Sequence, residues 1–489
     1  MRASQWTPSA LHETEITMNC YIGIDLGTSS CKGILTDREG HILREHSVSY
    51  PVSTPHANWS EQNPEDWYKA AVEILSTLAE GREADVKGVG IAGQMHGLVM
   101  LDEHDEVIRP AILWNDGRSA EQTAYLNSLG TLPALTGNIA FPGFTAPKIL
   151  WVKENEPENF AKVRKICLPK DYLAYKLTGV FSSEYSDAAG MLLLDVRNKC
   201  WSSEMCEICG ITVDMLPALF ESYEATGKLK AEYGLPDAVL CAGAGDNAGA
   251  AVGTNTLRDG DCSISLGTSG TIFLPCDEFN TACGTALHNF AHSSGKFHLM
   301  GCILSAASAN KWWIRDILDT SYDDPAEPKY GETGVYFLPY LTGERCPHND
   351  VNARGAFVGL SATTTRDDMS LAVLEGVAYA LRDCVEAGGV KIDKAVLCGG
   401  GAVSKVWQTI LANILGADIY LTETEQGPSF GGALLAMTAC GEYASVYEAA
   451  DATVKKTLAV KSDPALVEIY ERGYARYRRL YPALTCLQD

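Results

Sequence analysis

Two α/β domains are what this sequence predicts. A strand-and-turn phrase occurs twice, as Ile24-Asp25-Leu26-Gly27-Thr28-Ser29 and as Ile264-Ser265-Leu266-Gly267-Thr268-Ser269, each after apolar, strand-forming residues. Short apolar strands alternate with amphipathic helical segments, as layered α/β architecture requires. The 489 residues also exceed the length at which a single core keeps growing.

In chain order, residues 20–35 read as strand, turn, strand. Trp67, Ala71, Ile74 and Leu78 then recur at helical spacing, and residues 86–91 return to strand character. A short apolar strand at 239–241 runs into Ala242-Gly243-Ala244-Gly245-Asp246-Asn247. The second unit opens near Asp261, with 263–274 as the echoing strand pair. Thr365 and Asp368 have the spacing of a capping box, before a helix whose inner face runs through Met369, Ala372, Val373, Gly376, Val377 and Ala380. Residues 395–398 form a strand followed by three glycines, Gly399 to Gly401. Ser404 is then placed to cap a helix carrying Val406, Trp407, Ile410 and Ile414.

The formal net charge of −23 repels a phosphodiester backbone, which argues against nucleic acid as a partner. The 16 cysteines follow no secreted framework and read as reduced thiols. No basic-then-apolar leader opens the chain and no apolar run reaches membrane-spanning length, so the expected setting is the cytoplasm, without a membrane partner. Cys206 and Cys209 lack the second pair that a zinc site needs. His288, His292 and His298 fall in strand and turn rather than at helical spacing, so no transition-metal site is expected. A Walker phosphate loop is absent, and Ser29-x-x-Lys32 lacks the companion motifs of serine hydrolases.

A tight glycine turn points backbone N–H groups and hydroxyls into one concavity, which suits phosphate oxygens. Gly27, Thr28 and Ser29 in one copy, and Gly267 and Thr268 in the other, could grip one triphosphate. Only the first copy carries a carboxylate, Asp25, where the second has Ser265, so Asp25 is the expected Mg²⁺ ligand, through water. Gly400, Gly401 and Ser404 form a strand, glycine and helix-start geometry that also suits a nucleotide. Asp246, at a strand end among small residues, is the expected general base; the alternative is an Asp that caps the following helix. Gly93-Gln94-Met95-His96-Gly97 offers polar and soft groups at close backbone approach to a polyol. Trp114-Asn115-Asp116-Gly117-Arg118 could supply an aromatic wall.

With these residues assembled, the chain resembles the FGGY carbohydrate kinases from about Asn19 onward. One long signature runs from Gly143 through Lys148 and Trp151 to Asn155; the other runs from Gly355 and Gly359 through Asp368 to Glu375. The Gly93–Gly97, Trp114–Arg118, Leu168–Tyr172 and Gly343–His348 motifs resemble those of members acting on ketoses, with Cys346 where most have Thr. The resemblance implies the actin-like ATPase (ribonuclease H-like) fold, two domains around a central cleft. Residues 1–17 are polar and patternless and read as a disordered extension, with Met18, just before the first strand, a candidate start; the resemblance implies a sugar-binding domain over 18–255. An ATP-binding domain over 256–445 and a helical segment over 446–489 follow. It implies ATP and Mg²⁺ as cofactors and a ketose, D-xylulose, as acceptor, with Asp246 as catalytic base and Asp25 essential near the metal. Met95, His96, Asn247 and Trp114 would meet the sugar. Homodimers are common among the members. Another pentulose or a polyol as acceptor, and a nucleotide switch with no small substrate, are the competing readings.

Overall fold

The computed structural model describes residues 18–321, 324–325, 327–423 and 426–487, and its two largest sheets each have seven strands. The extension expected over residues 1–17 lies outside these residues. The first sheet holds β1 (Cys20–Leu26), β2 (Ser30–Asp37), β3 (Ile42–Ser49), β4 (Val86–Gly93), β5 (Ala225–Lys228), β6 (Val239–Cys241) and β7 (Ala244–Gly245). Its spatial order is β5-β6-β4-β1-β2-β3, and β7 pairs with β4. The second holds β8 (Asp261–Leu266), β9 (Gly270–Cys276), β10 (His288–Ala291), β11 (Phe297–Ile303), β12 (Lys394–Cys398), β13 (Asp418–Thr422) and β14 (Lys456–Val460). Its order is β10-β11-β9-β8-β12-β13-β14.

The repeated phrase is therefore a repeated piece of structure. β1 and β2 form an antiparallel hairpin with β4 parallel on the other side of β1. Likewise β8 and β9 form a hairpin with β12 parallel on the other side of β8. In both cases the Gly-Thr-Ser turn stands at the carboxyl end of a central strand, the edge where open α/β sheets bind ligands.

Both faces of β1 are covered, which is why Tyr21 is buried along with Cys20, Ile22, Ile24 and Leu26. Helix α1 (Pro64–Ala79) covers one face with Trp67, Ala71, Ile74 and Leu78; the Asn63 side chain caps it by accepting from the Glu65 N–H, and Pro64 sits in its first turn. Over the second sheet, helix α4 (Arg366–Gly388) begins at the Thr365–Asp368 capping box, and α5 (Lys405–Leu415) begins at Ser404.

Two late segments cross between the bodies. Helix α6 (Gly427–Ala439) lies on the first sheet beside α3 (Asp246–Gly253), with Phe430, Leu434, Leu435 and Met437 packed in one core with Tyr21, Ile34 and Val252. Each such side chain contributes about 2 kcal/mol of apolar burial. Farther on, 456–460 is not helical but supplies β14, an edge strand of the second sheet. Helix α7 (Pro464–Tyr477) buries Tyr470, Tyr474 and Tyr477 in the second core. Packing therefore does not divide the chain at residue 445. Among the described residues no helix is long and apolar enough to cross a membrane.

Candidate active site

Strand register sets the carboxylates. Asp25 on β1 is opposite Ala92 on β4, and Ala92 is opposite Ala244 on β7, so the three residues form one row at the carboxyl edge. Adjacent strands are about 4.8 Å apart. Asp246, two residues beyond Ala244, opens α3; its carboxylate accepts from the Asn247 N–H at 2.7 Å and Nδ2 at 2.9 Å. Among the described residues it bonds only this neighbour, so it is not a cap spanning the first turn. Burial, with the charge of Asp25 added, raises Asp246 to about 7. Burial also raises Asp25 to about 6, against the pull of Lys32. Among the described residues, the Asp25 carboxylate accepts no hydrogen bond.

The loop that delivers Asp246 is held from below. Lys170 of α2 (Pro169–Thr178), fully buried and 2.8 Å from Asp171, donates to the Ala242 carbonyl at 3.2 Å, and the Ser186 hydroxyl accepts from Gly245 N–H at 3.1 Å. The Leu168–Tyr172 motif thus serves the base without touching its carboxylate.

His96 has φ +69°, an uncommon conformation for a residue with a side chain. Its carbonyl accepts from Thr145 Oγ1 and from Lys148 Nζ, both at 3.0 Å, and Lys148 also donates to Gly143 O at 2.8 Å. Burial brings this ammonium down to about 7. The signature beginning at Gly143 is therefore a clamp on the His96 backbone. Nδ1 of His96 donates to Gly190 O at 2.7 Å, because a carbonyl can only accept, and burial lowers the ring to about 3. The neutral ring consequently presents Nε2 as an acceptor. Phe144 stacks on it at 4.6 Å. Buried Met95 places its sulfur 3.9 Å from Asn247 Nδ2.

Trp114, 47% exposed, forms an outer wall and donates from Nε1 to Thr28 Oγ1 at 2.9 Å. Thr28 Oγ1 donates in turn to Gln94 Oε1 at 3.2 Å. This corrects one expectation: the Thr28 hydroxyl ties the first turn to the Gly93–Gly97 loop instead of opening toward a phosphate. Its carbonyl is held too, by Gln62 Nε2 at 2.6 Å. What the turn leaves free are the amides of Thr28 and Ser29, which meet no acceptor among the described residues.

The second turn is braced in the same way. Gly267 O accepts from Ala307 N–H at 2.8 Å, and Thr268 O from Ala306 N–H at 3.0 Å and Ser308 Oγ at 2.6 Å, while the Thr268 and Ser269 amides meet no acceptor among the described residues. Ser265 pairs with Cys398, so the glycines after β12 stand beside this turn. Gly399 has φ +84°, and a Cβ there would be 2.9 Å from the Leu266 backbone; only glycine fits. A Cβ on Gly400 would meet nothing within 4 Å, so the space above it is open to a ligand, whereas Gly401 is backed by Trp407. Ser404 does not face that space. Its hydroxyl accepts from Trp407 N–H at 3.0 Å and donates to Asp324, so it serves as a helix cap.

Sequence reasoning missed one side of the aromatic cluster around His96. β10, from the second sheet, is tied to the first body by reciprocal bonds between Asn138 and Asn289, each 2.9 Å. It brings His288 and Phe290 against Phe144, whose ring lies 5.5 and 6.2 Å from theirs, and Phe141 stands 5.1 Å from His288. The available signal was an edge strand reading His-Asn-Phe-Ala, too polar for a core and too aromatic for open surface. Asp116 and Arg118, by contrast, pair with each other at 2.7 Å, and Arg118 also reaches Glu61 and lies over Trp59. They buttress the wall that carries Trp114.

A desolvated base, free amides on two turns, an open glycine strand end and a cluster of polar and aromatic rings around His96 suit phosphoryl transfer to a polyhydroxy acceptor, the chemistry of a sugar kinase. The chain belongs to the FGGY family of carbohydrate kinases, whose N-terminal domain matches residues 20–253 and whose C-terminal domain matches residues 262–440. Its fold is the two-domain actin-like ATPase fold of that family. It is 42% identical over 449 residues to the "Xylulose kinase" of Escherichia coli (strain K12), covering 88% of this chain and 92% of that one. A crystal structure described as a "xyloylose kinase" from Brucella ovis superposes with TM-score 0.89 at 38% identity, covering 96% of this chain and all of the other. A gluconate kinase structure from Lactobacillus acidophilus also superposes with TM-score 0.89, at 25% identity, over 96% of this chain and 98% of its own.

Proposed function

We propose that this protein transfers the γ-phosphoryl group of ATP to the terminal hydroxyl of D-xylulose, giving D-xylulose 5-phosphate and ADP. The observation that carries the chemistry is Asp246: a half-buried carboxylate, bonded among the described residues only to Asn247, and raised to a pKa near neutrality beside Asp25. The choice of D-xylulose is supported by the likeness to xylulose kinases.

In this reading Asp246 takes the proton of the acceptor hydroxyl as that oxygen attacks the γ-phosphorus, and the bond to the β,γ-bridging oxygen breaks to release ADP. His96 accepts a sugar hydroxyl at Nε2, and Met95 and Trp114 line the pocket. The free amides of the two turns donate to phosphate oxygens, and Gly400 leaves room for the nucleotide. Asp25, with no protein donor on its carboxylate, fits a Mg²⁺ ion held through water, which would neutralise phosphate charge.

The test is ADP release with Mg-ATP against D-xylulose, D-ribulose, L-ribulose, L-xylulose, glycerol, xylitol and gluconate, with a sugar-free control. A saturable preference for D-xylulose is expected. Equal turnover with and without sugar would overturn the reading in favour of a nucleotide switch. Gluconate belongs in the panel because a gluconate kinase shares the fold so closely.

His96→Asn should keep the backbone, since asparagine tolerates positive φ, and lose the ring. The KM for D-xylulose is expected to rise about tenfold, the worth of one hydrogen bond and its stacking, with the KM for ATP unchanged. An unaltered sugar KM would remove His96 from the pocket.

A further inference from the structure

The Gly343–His348 motif is left without a task by the site as described, although its loop is firmly built. Glu344 Oε1 accepts from the Leu304 N–H at 2.9 Å and the Arg345 N–H at 2.8 Å, and the Glu344 and Asp350 backbones bond each other in both directions. The Cys346 N–H donates to Cys302 O at 3.1 Å. This frame belongs to the second body, and it holds Arg345 half-buried.

Arg345 reaches into the first body. Its guanidinium lies 5.0 Å from the centre of the Phe141 ring, and its charge acts on His96 and His288. Among the described residues no carboxylate ion-pairs with it and no acceptor bonds its side chain, although Glu344, with its carboxylate turned to backbone amides, feels its charge. A guanidinium placed for structure has partners, as Arg118 does. One held in a rigid loop over an aromatic ring, with its charge felt at two neutral imidazoles, has its donors reserved for something absent from the protein.

We infer that Arg345 is a specificity-determining residue that hydrogen-bonds the ketol end, C1 and C2, of the sugar, so that the second body contributes directly to the sugar pocket. The inference rests on the proposed ketose kinase activity. A guanidinium has donors only, and its best neutral partner in such a sugar is the carbonyl oxygen, a fixed acceptor that needs no hydroxyl rotation. His96 Nε2, an acceptor on a ring stacked on Phe144 next to Phe141, suits an adjacent hydroxyl. The two side chains together therefore read an acceptor next to a donor, which a ketose offers at C2 and C1. Phe141, which Arg345 covers, stands 5.1 Å from the His288 ring and 5.6 Å from Phe144, which stacks on His96; this places Arg345 beside the aromatic cluster around His96.

The experiment compares parent, Arg345→Met and Arg345→Lys with D-xylulose, with xylitol, which lacks the carbonyl, and with ATP as the varied substrate. For Arg345→Met the KM for D-xylulose should rise at least about tenfold, the KM for ATP should hold, and the preference for D-xylulose over xylitol should collapse toward parity. Arg345→Lys should fall between the two, keeping charge but losing the fork. An unchanged sugar KM and an unchanged preference would overturn the inference. So would a loss of kcat on every acceptor with sugar KM unaltered, which would assign Arg345 to the transferred phosphoryl group. If Arg345→Met does not fold, Arg345→Lys alone decides by the same KM split. Failure of the parent on D-xylulose would instead overturn the functional reading; the variants are then assayed on whichever panel member the parent prefers, and preference for an alditol would overturn the inference as well.

Discussion

Replacing Asp246 with asparagine should lower kcat about 10³-fold while ATP and sugar still bind, because the side chain keeps its shape and loses only the ability to take a proton. The sign of the pH effect follows from the same group. Asp246 works deprotonated, and burial first, then the charge of Asp25, raises it to about 7. For the free enzyme kcat/KM should therefore climb as pH rises toward 7 and level off above it. Asp25→Asn removes the negative neighbour, so Asp246 should titrate lower and the acid limb of whatever activity remains should move to lower pH. A pH profile of kcat/KM for parent and both variants checks this. An Asp246→Asn enzyme within about tenfold of the parent would remove Asp246 as base.

Gly23→Ala should cost the folded state about 3 kcal/mol or more, a large part of the 5–15 kcal/mol that holds an ordinary domain. A Cβ on this β1 residue would stand 1.8 Å from Ser429 O and 2.7 Å from Ala433 N, both backbone atoms of α6. Backbone cannot swing aside as a side chain can. The helix cannot simply lift either, since Gly90 on β4 approaches Gly432 O as closely, and Gly431 approaches the Gly249 carbonyl of α3. Because α3 begins at Asp246, a displaced α6 should disturb the base as well. Thermal unfolding and soluble yield measure the effect. Gly400→Ala is the contrast: with nothing within 4 Å of its Cβ it should leave stability unchanged and raise the KM for ATP. A Gly23→Ala variant as stable as the parent would show that α6 is not locked to the sheet by backbone contact.

Much of the fold was legible because its signals are local. The apolar spacing of Trp67, Ala71, Ile74 and Leu78 marked α1, the Thr365–Asp368 pair marked the start of α4, and Ser404 marked the start of α5. Each depends on groups within one or two helical turns. The Gly-Thr-Ser turns were legible for the same reason, but the fate of their hydroxyls was not. The Thr28 hydroxyl is bound by Gln94 and Trp114, 66 and 86 residues away, and the Ser404 hydroxyl by Asp324, 80 residues away. No spacing rule reports partners at that distance.

By itself, then, the sequence determined the two strand-turn-strand units, the strands at 86–91 and 395–398, the helix starts at Thr365 and Ser404, and the placing of Asp25 and Asp246 at strand ends among small residues. Only the tertiary structure decided which hydroxyls face protein, that α6 belongs against the first sheet, and that His288 and Arg345 reach the rings of Phe141 and Phe144 in the other body. The physical reason is one of range. Periodicity and capping are set by bonds across a few residues, whereas those outcomes depend on strand order, register and the close approach of backbones at glycines, which exist only once distant segments have packed.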